Sequence, residues 1–336
     1  MRSIVLTKFG DIDVFAEATL PKPEIKPGHV LIKVVATSVN PLDYKMRKGY
    51  FPDLVKSFPM VLHGDVAGII EEVGEGVTDF SVGDEVYGCV GGLLDMGGGL
   101  AEYVLADADL IALKPKTLSL VEAASLPLVS LTAWEGLVTY AKVKKGQTVL
   151  IHGGTGGVGH ISIQLAKWLG AKVFATGSSA KKLEMAKQLG ADFAIDYKKT
   201  TIESYVAEHT NGAGFEIVFD TVGGENFSEC FQAAALFGQV ISILAAGNYD
   251  LSSAFFKGLS IHLVLQPLPL ITGIKRAHYG EILAKIATLV DEGFIRPLIQ
   301  GSRYLVKDFG TSKSPKSTRQ RAKYFGRDCP ASGTLR

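Results

Sequence analysis

A glycine-rich turn within residues 148–166, TVLIHGGTGGVGHISIQLA, carries the clearest chemical signature of this chain. Gly154, Gly156 and Gly159 fit the pattern G-x-G-x-x-G between a short apolar run and an amphipathic helical pattern. In such a turn the first glycine permits the turn, the second lets the backbone approach phosphates, and the third allows close helix packing. A flexible glycine loop is the competing interpretation, which the flanking patterns disfavour.

Unpaired N–H groups at the start of the following helix are expected to bind a nucleotide pyrophosphate, because a helix N-terminus favours anions. We therefore predict that the whole turn contacts a dinucleotide cofactor. The residues expected to bind it are Gly154, Thr155, Gly156, Gly157, Val158 and Gly159.

The next strand, residues 172–176, indicates which cofactor is preferred. A site for NAD usually has Asp or Glu near its end, about 20 residues after the glycines. Here the strand runs into residues 177–182, GSSAKK, and no carboxylate appears before Glu184. Hydroxyl groups and an ammonium suit a 2′-phosphate, so we predict NADPH. Lys181 by itself is more simply a solvated residue in the first turn of a helix.

Composition and charge narrow the remaining classes of function. The chain has 336 residues, 47% hydrophobic and 21% charged, with a net charge of +1. Two domains are expected at this length, and nothing suggests nucleic acid or an anionic membrane as a bulk partner. The three cysteines lack metal or disulfide spacing, and we find no signal sequence or apolar run of bilayer length. We expect a cytoplasmic protein.

The elements that must position the glycine turn change character along the chain. Up to about residue 120, short β-rich runs alternate with Gly and Pro turns, which predicts a small irregular barrel. Beyond it, helical segments alternate with apolar strands, as in a parallel doubly wound sheet. Residues 260–265 are a further candidate strand at the edge of this sheet. After about residue 305 the sequence shows no hydrophobic periodicity, and a segment rich in lysine and arginine follows.

Several separated segments resemble one enzyme superfamily. In chain order they are residues 36–43 (ATSVNPLD), 63–68 (HGDVAG), 82–88 (VGDEVYG), 101–103 (AEY), 126–134 (LPLVSLTAW), the glycine turn and residues 220–224 (DTVGG). Together they resemble the medium-chain dehydrogenase/reductase superfamily, and within it the zinc-free quinone oxidoreductase branch of zeta-crystallin-like enzymes.

The resemblance implies an α/β fold, in which a GroES-like β-barrel catalytic domain carries an inserted Rossmann doubly wound parallel sheet. It places the catalytic domain at residues 1–122, the NADPH-binding domain at 123–267 and the return to the catalytic domain at 268–310. The active site is expected in the cleft between the domains. Residues 311–336 form an atypical basic tail without the final apolar strand of related chains, so we expect an altered terminus.

The resemblance also bears on metal binding. Alcohol dehydrogenases of this superfamily hold a catalytic zinc with Cys, His and Cys, and the matching positions here are Asn40, Gly64 and about Leu128. Because glycine and leucine offer no side-chain ligand, we predict that no metal is bound. Without a Lewis acid, alcohol oxidation is disfavoured, whereas quinones and α,β-unsaturated carbonyls delocalise electrons by themselves.

Other site residues follow from the resemblance. Asn40 and Thr132 are expected against the nicotinamide end of the cofactor, although Asn40 is also typical of an Asn-Pro turn and Thr132 of a helix interior. Ser178, Lys182 and Tyr197 match positions for the 2′-phosphate and adenine, where Tyr197 alone would more often be a packing residue. Three further candidates lie at the ends of strands that should flank the cofactor crevice, one of which is predicted over residues 240–244. They are Val222, Leu244 and Ala245.

Tyr50 is the candidate proton donor. It lies in the loop that shapes the substrate mouth, where the sister branch of zinc-free enoyl-thioester reductases uses a tyrosine one position away. An exposed aromatic rim is the simpler interpretation. The predicted catalytic set is therefore Asn40, Tyr50 and Thr132.

Three hypotheses about function remain at this point. The leading one is an NADPH-dependent reductase of small-molecule quinones or enones, forming a homodimer through the edge strand of the Rossmann sheet. The second is an enoyl-thioester (enoyl-CoA) reductase, whose phosphate would meet a basic patch at Lys45, Arg47, Lys48 and Lys56. The third is an NADPH-binding regulatory or RNA-binding protein with little turnover, which the basic tail leaves open and the near-neutral charge argues against.

Overall fold

The computed structural model describes residues 1–299, which form two compact units. The first unit contains Met1–Leu128, Pro267–Asp291 and residue 299, and the second contains Val129–Gln266 and Glu292–Leu298. These limits lie close to the sequence-based boundaries at 122/123 and 267/268. The segment Glu292–Leu298 groups with the second unit, whereas the sequence assigns it to the returning part of the first. Residues 300–310 and the tail 311–336 lie outside the described residues.

The strands follow the β-rich and apolar runs of the sequence. In chain order they are β1 (Arg2–Leu6), β2 (Phe15–Thr19), β3 (His29–Thr37), β4 (Asp65–Val73), β5 (Glu85–Cys89), β6 (Tyr103–Asp107), β7 (Ile111–Leu113), β8 (Thr148–Ile151), β9 (Lys172–Gly177), β10 (Phe193–Asp196), β11 (Phe215–Asp220), β12 (Ala234–Ser242) and β13 (Ser260–Leu263).

The two longest α-helices are α10, in the first unit, and α4, which follows a parallel strand. In chain order they are α1 (Pro41–Arg47), α2 (Leu120–Ala123), α3 (Pro127–Trp134), α4 (Gly157–Trp168), α5 (Ala180–Gln188), α6 (Ile202–Thr210), α7 (Glu225–Ala233), α8 (Ser252–Phe256), α9 (Leu268–Thr272) and α10 (Arg276–Asp291). A π-helical turn, Glu135–Tyr140, continues α3 directly, and 3₁₀ turns occupy Ile12–Val14, Pro52–Leu54 and Ala108–Leu110.

The first unit is built on antiparallel strands. Its larger sheet has the order β6-β3-β4-β5-β7, and β1 pairs with β2 in a smaller sheet. Helix α10 packs on β7, and the Tyr87 hydroxyl donates to the carbonyl of Leu283 at 2.7 Å. Arg276 pairs with Asp107 at 2.9 Å, which fixes the start of the same helix. The β-rich first part predicted from the sequence is therefore present.

The second unit contains a parallel sheet with the strand order β10-β9-β8-β11-β12-β13. Counted from β8, this is the doubly wound order 3-2-1-4-5-6, and the winding reverses between β8 and β11. Large buried side chains from neighbouring strands, among them Phe174, Phe215 and Val218, fill its core. Because the strands are parallel, all their carboxyl ends meet at one edge of the sheet.

Two details of this sheet refine the sequence prediction. Strand β12 begins at Ala234 and ends at Ser242, so Leu244 lies in the following loop and not within the predicted strand 240–244. Strand β13 lies at the edge of the sheet beside β12, as predicted for residues 260–265, and ends at Leu263. Within residues 1–299, no helix combines the length and the apolar character needed to cross a bilayer.

Candidate active site

The glycine turn joins β8 to α4 at the point where the winding of the sheet reverses. Gly153 donates its N–H to Thr176 Oγ1 and Gly154 donates to the carbonyl of Thr176, both at 3.1 Å. The turn closes on itself through Gly156 N–H and the carbonyl of Gly153 at 2.8 Å. Gly153, with a φ of 67°, adopts the left-handed conformation that favours glycine. It comes directly before Gly154, the first glycine of the G-x-G-x-x-G pattern.

The spacing of the glycines is explained by backbone contacts. A Cβ atom on Gly159 would lie 2.3 Å from the carbonyl oxygen of Gly153, and one on Gly154 would lie 2.8 Å from Ala175 Cβ. The third glycine therefore lets α4 approach its own turn, while the first lets the turn approach β9. These contacts leave no room for a side chain at either position.

The first turn of α4 presents backbone donors. His160 N–H makes the first intrahelical bond, to Gly156 at 3.0 Å, so the N–H groups of Gly157, Val158 and Gly159 precede it. Gly156 and Gly157 are exposed, whereas Thr155 is buried in the turn. The first N–H groups of a twelve-residue helix lie at its positive end, where a phosphate can bind.

Ser178 and Tyr197 lie side by side at the ends of neighbouring strands. Asp196 of β10 is opposite Gly177 of β9, and each candidate follows its strand by one residue. Ser179 caps α5 by accepting the N–H of Lys182, which places that lysine in the first turn of the helix. Lys182 and Tyr197 are exposed, and Ser178 is half-buried. The structure therefore brings all three predicted 2′-phosphate residues to one end of the sheet.

The loops after β11 and β12 pack beside the glycine turn. A Cβ atom on Gly153 would lie 2.7 Å from Thr221 Oγ1 and 3.4 Å from Val222 Cγ2. One on Gly223 would lie 2.6 Å from Leu244 Cβ. Val222, Leu244 and the next residue, Ala245, are at least partly exposed, so this edge offers apolar contacts next to the glycine turn.

Asp220, at the end of β11, holds these loops and is a residue to which the sequence analysis gave no separate role. Its buried carboxylate accepts the N–H groups of Val222 and Gly223 at 2.9 Å each, and the side chains of Asn226 and Ser242 at 2.7 Å each. Thr221 donates to the carbonyl of His152 at 2.6 Å, directly before the turn. The sequence signal for this role is an aspartate at the end of an apolar strand.

Thr132 is buried and lies in the last turn of α3, which ends at Trp134. The chain then enters the π-helical turn, a geometry that is rare and occurs often at functional sites. Val129, earlier in α3, packs against the start of α4, because a Cβ atom on Gly157 would lie 3.1 Å from its Cγ1. Thr132 therefore belongs to the helix that packs against the start of α4.

In the first unit, Asn40 stands at the start of α1 and is buried. Its Nδ2 donates to Asp65 Oδ2 at 2.7 Å, and its backbone N–H donates to Asp43 Oδ2 at 2.7 Å. Asp65 Oδ2 also accepts Ser38 Oγ at 2.7 Å, while Asp65 Oδ1 accepts the N–H of Leu128 at 2.9 Å. Asn40 is therefore more than an Asn-Pro turn residue.

Burial shifts the pKa values of the titratable groups around Asn40. Burial raises the pKa of Asp65 to about 6, opposed by its hydrogen bonds from Asn40 and Ser38. Burial raises the pKa of Asp43 to about 7, with a further contribution from the charge of Asp65. Burial lowers the pKa of His63 to about 3, so its ring is neutral at physiological pH.

The three positions matched to zinc ligands meet at Asp65. Asn40 and Leu128 both donate to its carboxylate, and Gly64 is its chain neighbour. A Cβ atom on Gly64 would lie 2.9 Å from the carbonyl oxygen of Gly91 and 3.0 Å from Cys89 Sγ, so the site is built for glycine. In residues 1–299, no group of three or more His, Cys, Asp or Glu is placed to hold a metal ion.

Tyr50 lies in the loop after α1 and is 64% exposed. Two of the four basic residues considered for an acyl-thioester phosphate are already paired. Arg47 is buried and its Nη2 lies 3.3 Å from Asp11 Oδ1, and Lys56 pairs with Asp95 at 2.5 Å. The predicted basic patch is therefore weaker than the sequence indicates, because charge partners distant in the chain occupy two of its members.

Substitution of Gly159 tests the glycine turn. Gly159→Ala forces a methyl group against the carbonyl of Gly153, so the turn or the start of α4 must move. We expect the Kd for NADPH, measured by fluorescence titration, to rise at least about tenfold, or about 1.4 kcal/mol. Gly97→Ala is the matched control, because its nearest contact would be Val104 at 3.8 Å. Unchanged binding in Gly159→Ala would contradict this account of the turn.

Comparisons with known proteins show which families the chain resembles. Residues 26–116 match the alcohol dehydrogenase GroES-like domain family, and residues 157–265 match the family described as zinc-binding dehydrogenase. The chain is 42% identical over 229 residues to the chloroplastic NADPH-dependent alkenal/one oxidoreductase of Arabidopsis thaliana, covering 66% of this chain and 58% of that protein. The chain thus spans less than two thirds of that relative's length.

Two further matches cover most of the chain. The chloroplast envelope quinone oxidoreductase homolog of Arabidopsis thaliana is 36% identical over 294 residues, covering 86% of each protein. The crystal structure of an alcohol dehydrogenase superfamily protein from Novosphingobium aromaticivorans matches with a TM-score of 0.89 and 38% identity, covering 98% of this chain and 100% of that one. The predicted α/β fold with GroES-like and Rossmann parts is confirmed, and the chain belongs to the medium-chain dehydrogenase/reductase superfamily, in its quinone oxidoreductase-like branch.

Proposed function

We propose that this protein is an NADPH-dependent reductase that transfers hydride to small-molecule quinones or α,β-unsaturated carbonyl compounds without a metal. The observation that carries the proposal is the residue set Asn40, Gly64 and Leu128, which surrounds a buried carboxylate where related alcohol dehydrogenases are expected to hold zinc. The names of the Arabidopsis relatives, an alkenal/one oxidoreductase and a quinone oxidoreductase homolog, support the same two substrate classes.

The cofactor-binding residues fit a phosphorylated dinucleotide. The glycine turn and the first N–H groups of α4 would bind the pyrophosphate. Ser178, Lys182 and Tyr197 would bind the 2′-phosphate and adenine, because a hydroxyl and an ammonium suit a phosphate dianion. Asp196, the last residue of β10, is a carboxylate at these strand ends, and it already accepts the N–H of Lys198 and pairs with Lys199 at 3.6 Å. This arrangement favours NADPH over NADH.

The chemistry required of the protein is modest once NADPH supplies the hydride. A quinone or enone that accepts hydride develops negative charge on oxygen, which hydrogen-bond donors in a dry site stabilise. Asn40 and Thr132 would orient the nicotinamide end through hydrogen bonds. Tyr50 is the proposed proton donor to the developing oxyanion, and its exposure keeps it accessible to solvent protons.

Turnover without metal is the direct test of the proposed function. We expect oxidation of NADPH at 340 nm with 1,4-benzoquinone, 9,10-phenanthrenequinone or an enal, at a rate that EDTA does not change. Crotonyl-CoA is expected to be a poor substrate, because two of the four candidate phosphate-binding side chains are paired elsewhere. Loss of turnover in EDTA would contradict the metal-free proposal, and selective turnover of crotonyl-CoA would favour the enoyl-thioester alternative.

Lys182 tests the predicted cofactor preference. In Lys182→Ala we expect the Kd for NADPH to rise about tenfold, since a hydrogen bond to a charged group contributes about 1.5–3 kcal/mol, while the Kd for NADH stays unchanged. Lys181→Ala is the matched control, one position away in the same exposed helix turn. Equal losses for both cofactors, or equal effects of the two lysines, would be evidence against the 2′-phosphate role.

We also propose a homodimer in which the second copy extends the parallel sheet at β13. This strand pairs with β12 on one side only within residues 1–299, and an unpaired strand edge is a template for pairing. Apolar side chains near this edge are largely exposed. They are Phe237, Phe255, Phe256, Leu263 and Leu265, with exposed fractions of 84%, 79%, 81%, 59% and 58%.

A charge at this edge should disrupt the dimer. Leu263→Asp would place like charges near each other in the two copies, and we expect a monomer by light scattering after size exclusion. Val82→Asp, at a residue 65% exposed in the first unit, is the control and should remain dimeric. A monomeric unmodified protein, or a dimeric Leu263→Asp variant, would rule out this interface.

The cytoplasmic location predicted from the sequence stays a proposal, and the two Arabidopsis relatives carry chloroplast names.

A further inference from the structure

The carboxylate of Asp65 joins three segments that are far apart in the chain. It accepts Asn40 Nδ2 across 25 residues, Ser38 Oγ across 27 and the N–H of Leu128 across 63. Its own backbone carbonyl accepts Thr37 Oγ1 at 2.6 Å. Asp65 is 0% exposed, so these bonds are made in a medium of low dielectric, where they are strong and costly to leave unmade.

The chemistry of a carboxylate decides how Asn40 is presented. A side-chain amide can be rotated to exchange its NH₂ and carbonyl ends, and in most settings only the surrounding hydrogen bonds fix the choice. An ionised carboxylate only accepts hydrogen bonds, so it selects the Nδ2 end of Asn40. The carbonyl end, Oδ1, is thereby turned away from Asp65. No neutral partner of similar size would impose this orientation as strongly.

The same carboxylate holds the first turn of α3. Leu128 is the second residue of this helix, and its N–H donates to Asp65 Oδ1 at 2.9 Å. A negative charge at the N-terminus of a helix is favourable, and a side-chain acceptor there fixes the helix start. Thr132 follows Leu128 by four residues, which is about one turn of the helix. Asp65 therefore contacts Asn40 directly and fixes the start of the helix that carries Thr132.

We propose that Asp65 is a positioning residue of the reductase, replacing with hydrogen bonds the role that a metal plays in joining positions 40, 64 and 128. In a metal enzyme these positions would be joined by coordination to one cation. Here they are joined by an anion that accepts from Asn40 and Leu128, next to a glycine too crowded for a ligand. The proposal rests on the proposed function, because it concerns how Asn40 is presented for hydride transfer.

A double-mutant cycle distinguishes orientation of Asn40 from a general structural effect. Asp65→Asn keeps the size of the side chain but replaces one acceptor oxygen with an NH₂ donor. The side chain at position 65 then no longer selects the Nδ2 end of Asn40 as its hydrogen-bond partner. We expect kcat/KM to fall at least tenfold in Asp65→Asn and in Asn40→Ala, and the double variant to be within about threefold of the worse single variant. Losses that multiply, or an Asp65→Asn variant within twofold of the unmodified enzyme, would overturn the proposal.

Tyr87→Phe is the matched control for loss of a buried hydrogen bond in the same unit. Its hydroxyl donates to the carbonyl of Leu283 at 2.7 Å, and the residue is 0% exposed. We expect a lower melting temperature with kcat/KM within twofold of the unmodified protein. The Kd for NADPH is also measured by fluorescence titration for the single and double variants of the cycle, because this measurement needs no turnover. Absent turnover with coupled Kd effects would refute the proposed reductase activity while supporting the positioning role.

Asn40→Asp provides a second test that does not depend on the folding of Asp65→Asn. When protonated, the carboxyl group introduced by this substitution donates an O–H to Asp65, where Asn40 donates an N–H at 2.7 Å. Two carboxyl groups this close cannot both ionise readily, so one pKa of the pair is raised strongly. We expect kcat/KM of Asn40→Asp to be lower than that of the unmodified enzyme at every pH, and to fall a further tenfold per pH unit above that raised pKa.

The unmodified protein supplies the reference for this pH profile. The other titratable groups close to the pair are Asp43, His63 and Cys89, and they are the same in both proteins. A new descending step in Asn40→Asp alone supports direct contact between positions 40 and 65 during turnover. Identical pH profiles for the two proteins would overturn the positioning role of Asp65.

Discussion

A carboxylate that is removed from water must be supplied with hydrogen-bond donors, and both units of this protein are organised by that constraint. Asp65, the first residue of β4, and Asp220, the last residue of β11, are each 0% exposed. Asp65 accepts hydrogen bonds from the segment after β3 and from the start of α3. Asp220 accepts them from the loop after its own strand, from α7 and from β12. Because an unpaired buried charge is very costly, the loops around these residues have little freedom to take another arrangement.

The second constraint is close approach of backbone to backbone. The glycine turn lies against β9 through Thr176 and against its own helix through Gly159, with no space for a Cβ atom. The loop after β11 then packs against Gly153, held in place by Asp220. A rigid turn that leads into the first N–H groups of a helix suits a pyrophosphate, and the rigidity of this turn comes largely from contacts outside the motif itself.

The proposed metal-free site would differ from a metal site in physical as well as chemical terms. A cation joins its ligands by attraction to lone pairs, so the joined residues present acceptors to it. The Asp65 carboxylate joins donors, so Asn40 and Leu128 are bound through N–H groups. An arrangement of this kind can hold residues in place, but it does not polarise a substrate carbonyl as a Lewis acid does. It suits acceptors such as quinones and enones, whose own electrons delocalise the incoming charge.

Much of the fold and part of the site could be predicted from the sequence, because those features depend on neighbouring residues. Alternation of apolar strands with helices predicted the parallel sheet, and the spacing of Gly154, Gly156 and Gly159 predicted the turn. The end of β12 and the left-handed Gly153 were missed, since both depend on pairing with other strands. Only the tertiary structure decided that Asp65 meets Asn40 and Leu128, and that Arg47 is paired with Asp11. Burial and pairing across tens of residues leave no periodic signal in the chain, because they arise when distant segments fold together.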